Sequence, residues 1–578
     1  MKRLTVLLAA LFVFLVRSGL PVMAQDRAGV TADLVLVNAT VHTMSRSLPL
    51  AEGVAVVGGR IAAVGTNEAI EAWIGLRTRI IDATGLTITP GFIESHGHLM
   101  GIGWSEKYLD LSYVGSYDEL IRMVAEAVRK AQPGEWIMGG GWHQSKWSPA
   151  PVPAVRGYPV HEALSRISTD NPVFLSHASG HAAMANARAM DIAGIGPGTR
   201  FSEGGEILKD ANGNPTGIFV EAAQGLIAAH VPPLRSEQAA RMLELAVQEC
   251  LKNGITSFQD AGVDRPTLAL LQSFAGSGKL NLRVYAMLIP GRDGGDQAFV
   301  EEWLQRGPQI GLGGGFLTIR TVKLMVDGAL GSRGAWLLEP YSDDPGNSGH
   351  TIMPMEAAYQ VSKQALEAGF QVATHAIGDR ANHEILNVYE RVFSENPLRA
   401  KDARFRIEHA QHIAEQDIHR FAGMGVIAAM QGIHMASDIS WAIDRLGPER
   451  IEEGAYVWQK LLRSGAVVTN GTDAPVEPVN PLDSFFASVT RKTLEGTLFP
   501  WSHPEQRMTR EQALRSYTID AAYASFEEDI KGSIEPGKLA DLTVFSQDLM
   551  KIPVERILDT EVVYTIVGGK VLYQRGER

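Results

Sequence analysis

The sequence predicts an α/β protein built on a (β/α)8 barrel, with a composite β-sandwich assembled from both chain ends and an insertion after barrel strand one. Three observations predict it. Eight short apolar runs each end in polar residues: "LTITPGFIESHGH", "GITSFQDAG" (254–262), "LRVYAMLIP" (282–290), "LTIRTVKLMVDG" (317–328), "FQVATHAIGD" (370–379), "RFRIEHAQ" (404–411), "GVIAAMQG" (425–432) and "GAVVTNGTDAP" (465–475). Helical patterns separate several of them, and strands alternating with helices close into a barrel. Finally, β-branched runs broken by Asn and Gly-Gly stand at both ends of the chain, as "ADLVLVNATVHTM" and "GVAVVGGRIAAVG" early and "GKLADLTVFS" and "VVYTIVGGKVLY" late.

Taken in chain order, Met1-Lys2-Arg3, the apolar run Leu4 to Val16 and the segment "RSGLPVMAQ" read as a secretory signal over residues 1–24, cut after Ala24. The apolar run is too short for a membrane span, so no stable insertion is expected after cleavage. Residues 25–88 and 535–578 are expected to form the sandwich, and 89–534 the barrel. Within the barrel, "SEQAARMLELAVQECLKNG" offers Ser236 as a helix cap and ends in Gly, and "EAAYQVSKQALEAG" stops at Gly369. Residues from about 100 to 236 interrupt the alternation with Trp-rich and Gly-rich loops. Following strand one, they lie on the side where barrel active sites sit, placed to form a lid or a wall.

The 578 residues exceed one barrel of about 250 residues, so more than one domain is expected. A hydrophobic share of 45% with 20% charged residues is ordinary for a folded protein. Loss of Lys2, Arg3 and Arg17 with the signal takes the formal charge from −12 to −15, which argues against nucleic acid as a partner. Cys250, the single cysteine, has no disulfide partner within the chain, and its place in "LELAVQECLKNG" is that of a small buried residue. An exported, periplasmic protein is the expectation, with secretion as the alternative; oligomeric state is not readable.

Chemistry is sought at the strand ends. Strand one ends in His96-Gly97-His98, and residues i and i+2 of an extended chain face one side. Two such histidines alone are a weak pattern. His375 after strand five, His409 after strand six and Asp473 after strand eight fall at the same topological place, and imidazole with carboxylate suits Zn2+ or a similar divalent ion. Lys323 lies among Val, Leu and Met, where a charged amine is costly. It faces outward, pairs with Asp327, or carries a carbamate that bridges two ions; the residues leave the three open. No Gly-x-Ser-x-Gly elbow is present, and "GLGGG" (311–315) lacks the Gly-Lys-Ser/Thr of a phosphate loop. His181 in "SGHAAMAN" either contacts substrate or makes a structural hydrogen bond, with His177 four residues before it. Trp142, Trp147 and Trp336 line a pocket or pack, and Asp327 orients Lys323 or holds a loop.

At this point the chain resembles the metal-dependent amidohydrolase superfamily, and within it the third amidohydrolase family, of YtcJ-like proteins and N-substituted formamide deformylases. The resemblance rests on "PGFIESHGH", "SGHAAMAN", "KLMVDGALGSRGAWLLEPYSDDPGNSG", "THAIGDRA", "RIEHAQ", "GTDAPVEPVNPL" and "SIEPGKLADLTVF", and runs from about residue 33 to the C-terminus. It implies one or two divalent ions, zinc by preference, ligated by His96, His98, His375, His409 and Asp473, with Lys323 as an N6-carboxylated bridge where two are bound. Glu94 stands where many relatives carry Asp and is assigned no role.

The implied reaction is hydrolysis of a small amide, N-formyl or N-acyl amine at a non-peptide carbon–nitrogen bond. A divalent ion activates water and polarises the carbonyl, while Asp473 takes the proton and returns it to the departing nitrogen. His181, Asp327 and Trp142 are the candidates for substrate contact. The competing readings are a mononuclear ring deaminase or cyclic amidase, and a non-catalytic exported binding protein.

Overall fold

Alternation of β-branched apolar runs with amphipathic helices yields eight parallel strands in a ring. In the computed structural model, which describes residues 30–144, 147–178, 182–201, 205–232, 234–290 and 295–576, these are β1 (Phe92–Gly97), β2 (Ile255–Val263), β3 (Arg283–Leu288), β4 (Leu317–Met325), β5 (Gln371–Ala376), β6 (Arg406–His409), β7 (Ile427–Met430) and β8 (Val468–Asn470). Neighbours in sequence are neighbours in space, and every ladder from β1 to β8 is parallel. No ladder joins β8 to β1, but the gap is bridged where the two strands end: Asp473 N–H donates to His96 O at 2.8 Å and His98 N–H to Ala474 O at 2.7 Å. The expected barrel is therefore present and nearly closed, with its strand ends drawn together at one mouth. Residues 1–24, read from the sequence as a signal, lie outside the described residues. Among the described residues no helix is long and apolar enough to cross a membrane.

Helices pack their apolar faces on the ring. Met355–Ala368 ends as expected at Gly369, whose φ of 83° is the left-handed conformation that suits glycine after a helix. Ser236 is not the cap expected of it. It is the first residue of the helix Ser236–Lys252, and the Gln238 side chain accepts instead from the Arg235 N–H at 3.0 Å. Cys250 is fully buried on that helix, and burial pushes its thiol well above the ordinary range, which fits inert packing.

Strands from both termini build two sheets. One runs in the order 60–65, 53–57, 34–37, 79–82; the other takes 570–574, 562–567, 542–545, 87–90, 40–42 and 50–51. The Gly-Gly pairs of the two end segments turn hairpins: Gly58 and Gly59, then Gly568 and Gly569, all have positive φ, as two-residue turns of that hand require. Leu36, Val54 and Ile81 of the first sheet share one core with Ile88, Leu542 and Ile566 of the second.

The insertion, which sequence pattern left unread, is a six-stranded mixed sheet in the order 205–209, 215–221, 182–185, 173–177, 137–142, 109–110, with apolar clusters around Leu120 and Trp142 and around Phe174 and Phe219. Its stem is the helix Leu99–Lys107, which crosses Ser236–Lys252 so closely that a Cβ on Gly103 would lie 2.1 Å from Met242 O.

Candidate metal centre

β1 delivers His96 and His98 to the mouth, β8 delivers Asp473, and the gap in the ladder between these strands lets the side chains meet. His96 Nε2 and His98 Nε2 approach Asp473 Oδ1 at 3.4 and 3.2 Å. Neither contact has hydrogen-bond alignment, and Asp473 Oδ1 is buried with no partner. Three donor atoms converging without bonding one another is what a cation between them would satisfy, since buried polar atoms otherwise find partners. Gly97, between the histidines, is required for a different reason from the one its position suggests: a Cβ there would sit 2.7 Å from Phe258 Cζ on β2.

The imidazoles of His96, His409 and His375 are each aimed by a hydrogen bond on the far side. Glu408 accepts from His96 Nδ1 in a short contact, leaving Nε2 toward Asp473. Gln431 Oε1 lies 2.7 Å from His409 Nδ1, and His375 shares a backbone hydrogen bond with Gly328 while its Nε2 is buried and unpartnered. Such anchoring sets the tautomer and orientation of ligating histidines. The His375 and His409 rings meet edge to face with centroids 4.4 Å apart, and His409 lies 4.8 Å from His96. His409 and Asp473 both adopt left-handed backbone, φ 74° and 58°. For a non-glycine residue that costs about 1–2 kcal/mol, strain of the kind that clusters at functional sites.

Two trios bring ligand atoms within 4.8 Å of one another: His96, His98 and Asp473, and His409, His434 and Asp473. His375 belongs to neither; its Nε2 lies 3.6 Å from Asp327 Oδ1. Lys323 is buried on β4, in register with Ala373 of β5, and makes no hydrogen bond or ion pair among the described residues. Burial lowers its amine below the ordinary lysine value, with Arg406 adding to the effect and Glu408 and Asp473 opposing it.

Electrostatics follow the same geometry. Burial would raise the Asp473 carboxyl, but His96, His98 and His409 outweigh it and hold the group well below the usual range. Burial likewise works against ionised Glu408, yet Arg406 and His96 bring it down to about 2. The Arg406 guanidinium reaches Glu408 Oε1 at 2.7 Å and Oε2 at 3.0 Å, and donates to Ser95 O at 2.8 Å. His375 is driven down to about 3 by burial, then by Lys323, so it is a neutral imidazole with a lone pair to offer.

Several residues read from sequence have other work. Asp327 holds a loop: its carboxylate accepts from Ile377, Gly378 and Trp336 N–H at 3.0, 2.9 and 2.8 Å, and no bond joins it to Lys323. Trp142 is fully buried in the insertion core and donates its indole N–H to Leu175 O at 3.0 Å, so it has no surface for a substrate. Trp147 packs near it, centroids 5.8 Å apart. His177 Nε2 lies 2.9 Å from Gln144 Oε1 in the insertion; His181 falls outside the described residues. Glu94 does have a role. Fully buried, it accepts from His96 N–H, Thr472 N–H and Thr472 Oγ1–H, tying β1 to the loop that carries Asp473. Sequence reasoning passed over Glu408, Arg406, Gln431 and His434. The period-two alternation of Arg406 and Glu408 on an apolar strand was the available signal.

A family model described as the amidohydrolase family matches residues 79–573. The chain is 34% identical over 565 residues to Protein LONG AFTER FAR-RED 3 of Arabidopsis thaliana, covering 94% of this chain and 92% of that protein. Identity to putative amidohydrolase YtcJ of Bacillus subtilis is 32% over 543 residues, covering 93% and 98%. For the N-substituted formamide deformylase of Arthrobacter pascens it is 28% over 559 residues, covering 94% and 98%. Among solved structures, a metal-dependent hydrolase from Pyrococcus horikoshii superposes with a TM-score of 0.74 at 28% identity, covering 90% of this chain and 99% of that one.

Proposed function

The chain belongs to the amidohydrolase family, and from that premise we propose that this metal-dependent hydrolase of carbon–nitrogen bonds cleaves small N-formyl or N-acyl amines. The observation that carries the reading is the convergence of His96 Nε2, His98 Nε2 and the unpartnered Asp473 Oδ1 at the barrel mouth. His96, His98, His375, His409 and Asp473 would hold one or two divalent ions, with zinc favoured by a nitrogen and carboxylate donor set. When bound, such an ion lowers the pKa of water toward neutrality and polarises a carbonyl.

The protein's own residues do the rest. Asp473, held by backbone bonds to β1, accepts the proton from water as the carbonyl carbon is attacked, and passes it to the nitrogen as the carbon–nitrogen bond breaks. A carboxylate and an amine leave. Glu408 and Gln431 keep His96 and His409 turned toward the centre throughout. Lys323 is suited to become a carbamate: burial favours its neutral amine, which can add carbon dioxide, and the product would be an anionic oxygen donor able to share in holding the ions.

The test is a panel of N-formyl and N-acyl amines given to protein supplied with Zn2+ and bicarbonate. Wild type should release amine, and Asp473→Asn should lose about 100- to 10,000-fold in rate, as expected for loss of a general base. Wild type that carries metal yet releases amine from no member of the panel would sink the assignment. Intact mass after gentle desalting reads the carbamate on Lys323 directly, with Lys323→Ala as the control.

A further inference from the structure

His434 is a partly buried imidazole outside the five ligands proposed above, although it shares a trio with His409 and Asp473. It stands in the first turn of the helix Gly432–Asp438, directly after β7, and that helix is pinned at its start. Asn470 Oδ1 accepts from Gly432 N–H at 2.9 Å and Ser484 Oγ from Ile433 N–H at 3.2 Å. Gly432 cannot be replaced without movement, because a Cβ there would lie 2.4 Å from Ser488 Oγ. His434 Nε2 is buried with no hydrogen-bond partner and stops 4.0 Å from Asp473 Oδ2, on the carboxylate oxygen away from His96 and His98. Its ring lies parallel to that of His409, centroids 5.9 Å apart and 18° between planes.

These groups face a recess of about 200 Å3, its open mouth included, lined by His409, Gln411, Met430, His434, Tyr456 and Trp458. The recess borders the proposed metal centre and has room beside His434 for a group about the size of one water, such as a carbonyl oxygen. A hydrogen-bond donor is what that position calls for. His96, His409 and His375 each have an anchoring hydrogen bond that frees Nε2 as a lone pair; His434 has none among the described residues. Instead it lies in the field of Asp438, one turn further on, whose carboxylate accepts from Tyr456 OH at 2.6 Å and from Gln411 Nε2 at 3.2 Å. With no acceptor among the described residues holding its other nitrogen, the neutral ring can carry its proton on Nε2 and present it to the recess.

We propose that His434 is a catalytic residue that donates a hydrogen bond from Nε2 to the substrate carbonyl oxygen, the atom that gains negative charge as the carbon becomes tetrahedral. Preorganised donors aimed at developing charge contribute more in a recess that excludes water than in solution. The role rests on the proposed amide hydrolysis, and its test has an arm that does not.

Formate, whose oxygens stand in for the acyl oxygens, is titrated calorimetrically into zinc-loaded full-length wild type, His434→Ala and His434→Gln, with metal content measured in parallel. Metal content should not change. Formate affinity should fall about ten- to hundredfold in His434→Ala, the loss expected for a hydrogen bond to a charged group, and recover in part in His434→Gln, whose amide restores an N–H donor. Equal formate affinity in wild type and His434→Ala overturns the proposal, as does a wild type that binds no formate. A loss of metal in step with the loss of formate overturns it too, by making His434 a ligand. On an N-formyl amine that wild type cleaves, kcat should fall about 100- to 1,000-fold with KM nearly unchanged. If wild type cleaves no amide, the assigned reaction fails while the formate arm still decides the role of His434.

Discussion

Glu408 carries a disproportionate share of the centre. Its two oxygens divide between the His96 imidazole and the Arg406 guanidinium, all three fully or almost fully buried. Glu408→Gln keeps the shape but removes the charge, leaving Arg406 without a carboxylate and His96 with a weaker acceptor. Metal affinity should fall about 10- to 100-fold, the usual effect of losing such a supporting partner, read by chelator competition against wild type. Undiminished affinity would show that His96 needs no such partner. The stretch "RFRIEHAQ" displayed all of these residues in the sequence. What it concealed was which way each one faces, because the chain turns at His409, φ 74°, and the strict alternation of a strand stops there.

Among the elements, the ends of β1 and β8 are the most tightly specified. Glu94 bonds the His96 and Thr472 backbones, and Gly471 leaves the space for it: a Cβ there would lie 2.4 Å from Glu94 Oε1 and 2.9 Å from His96 N. Gly471→Ala should therefore cost about 1–3 kcal/mol of stability through overpacking, measured as a lower Tm, and should weaken metal binding because His96 moves with its own backbone. A variant that melts like wild type with full metal content would refute the coupling. Strand positions and their polar ends were readable because period and punctuation are local properties. The cap of Ser236–Lys252 and the burial of Trp142 were not: one depends on which of two adjacent residues leaves helical backbone, the other on a second strand covering the indole.

For the whole molecule, the sandwich is joined to the barrel by a buried ion pair. Asp541, beside the strand 542–545, receives Arg283 of β3 at 2.6 and 3.0 Å and also accepts from Gly568 N–H at 2.8 Å. Thr543 and Thr565 donate across the same junction to Gly254 O and Leu251 O, each at 2.6 Å. Asp541→Ala strands a buried guanidinium and should cost about 3–5 kcal/mol, seen as a lower urea midpoint; a shift of less than about 1 kcal/mol would place the strength of the junction elsewhere. Period and spacing, read along the chain alone, were enough for the eight-strand alternation, the pairing of the two ends in one β unit, and His96, His98, His375, His409 and Asp473 as strand-end candidates. Folding was needed to bring His98 and Asp473, 375 positions apart in the sequence, to 3.2 Å, to give Glu94 and Glu408 their partners, and to set His434 at the edge of the recess. The division has a physical cause: backbone periodicity is fixed by neighbours in sequence, whereas burial, side-chain aim and the field at a site arise from groups that only closure of the barrel brings together.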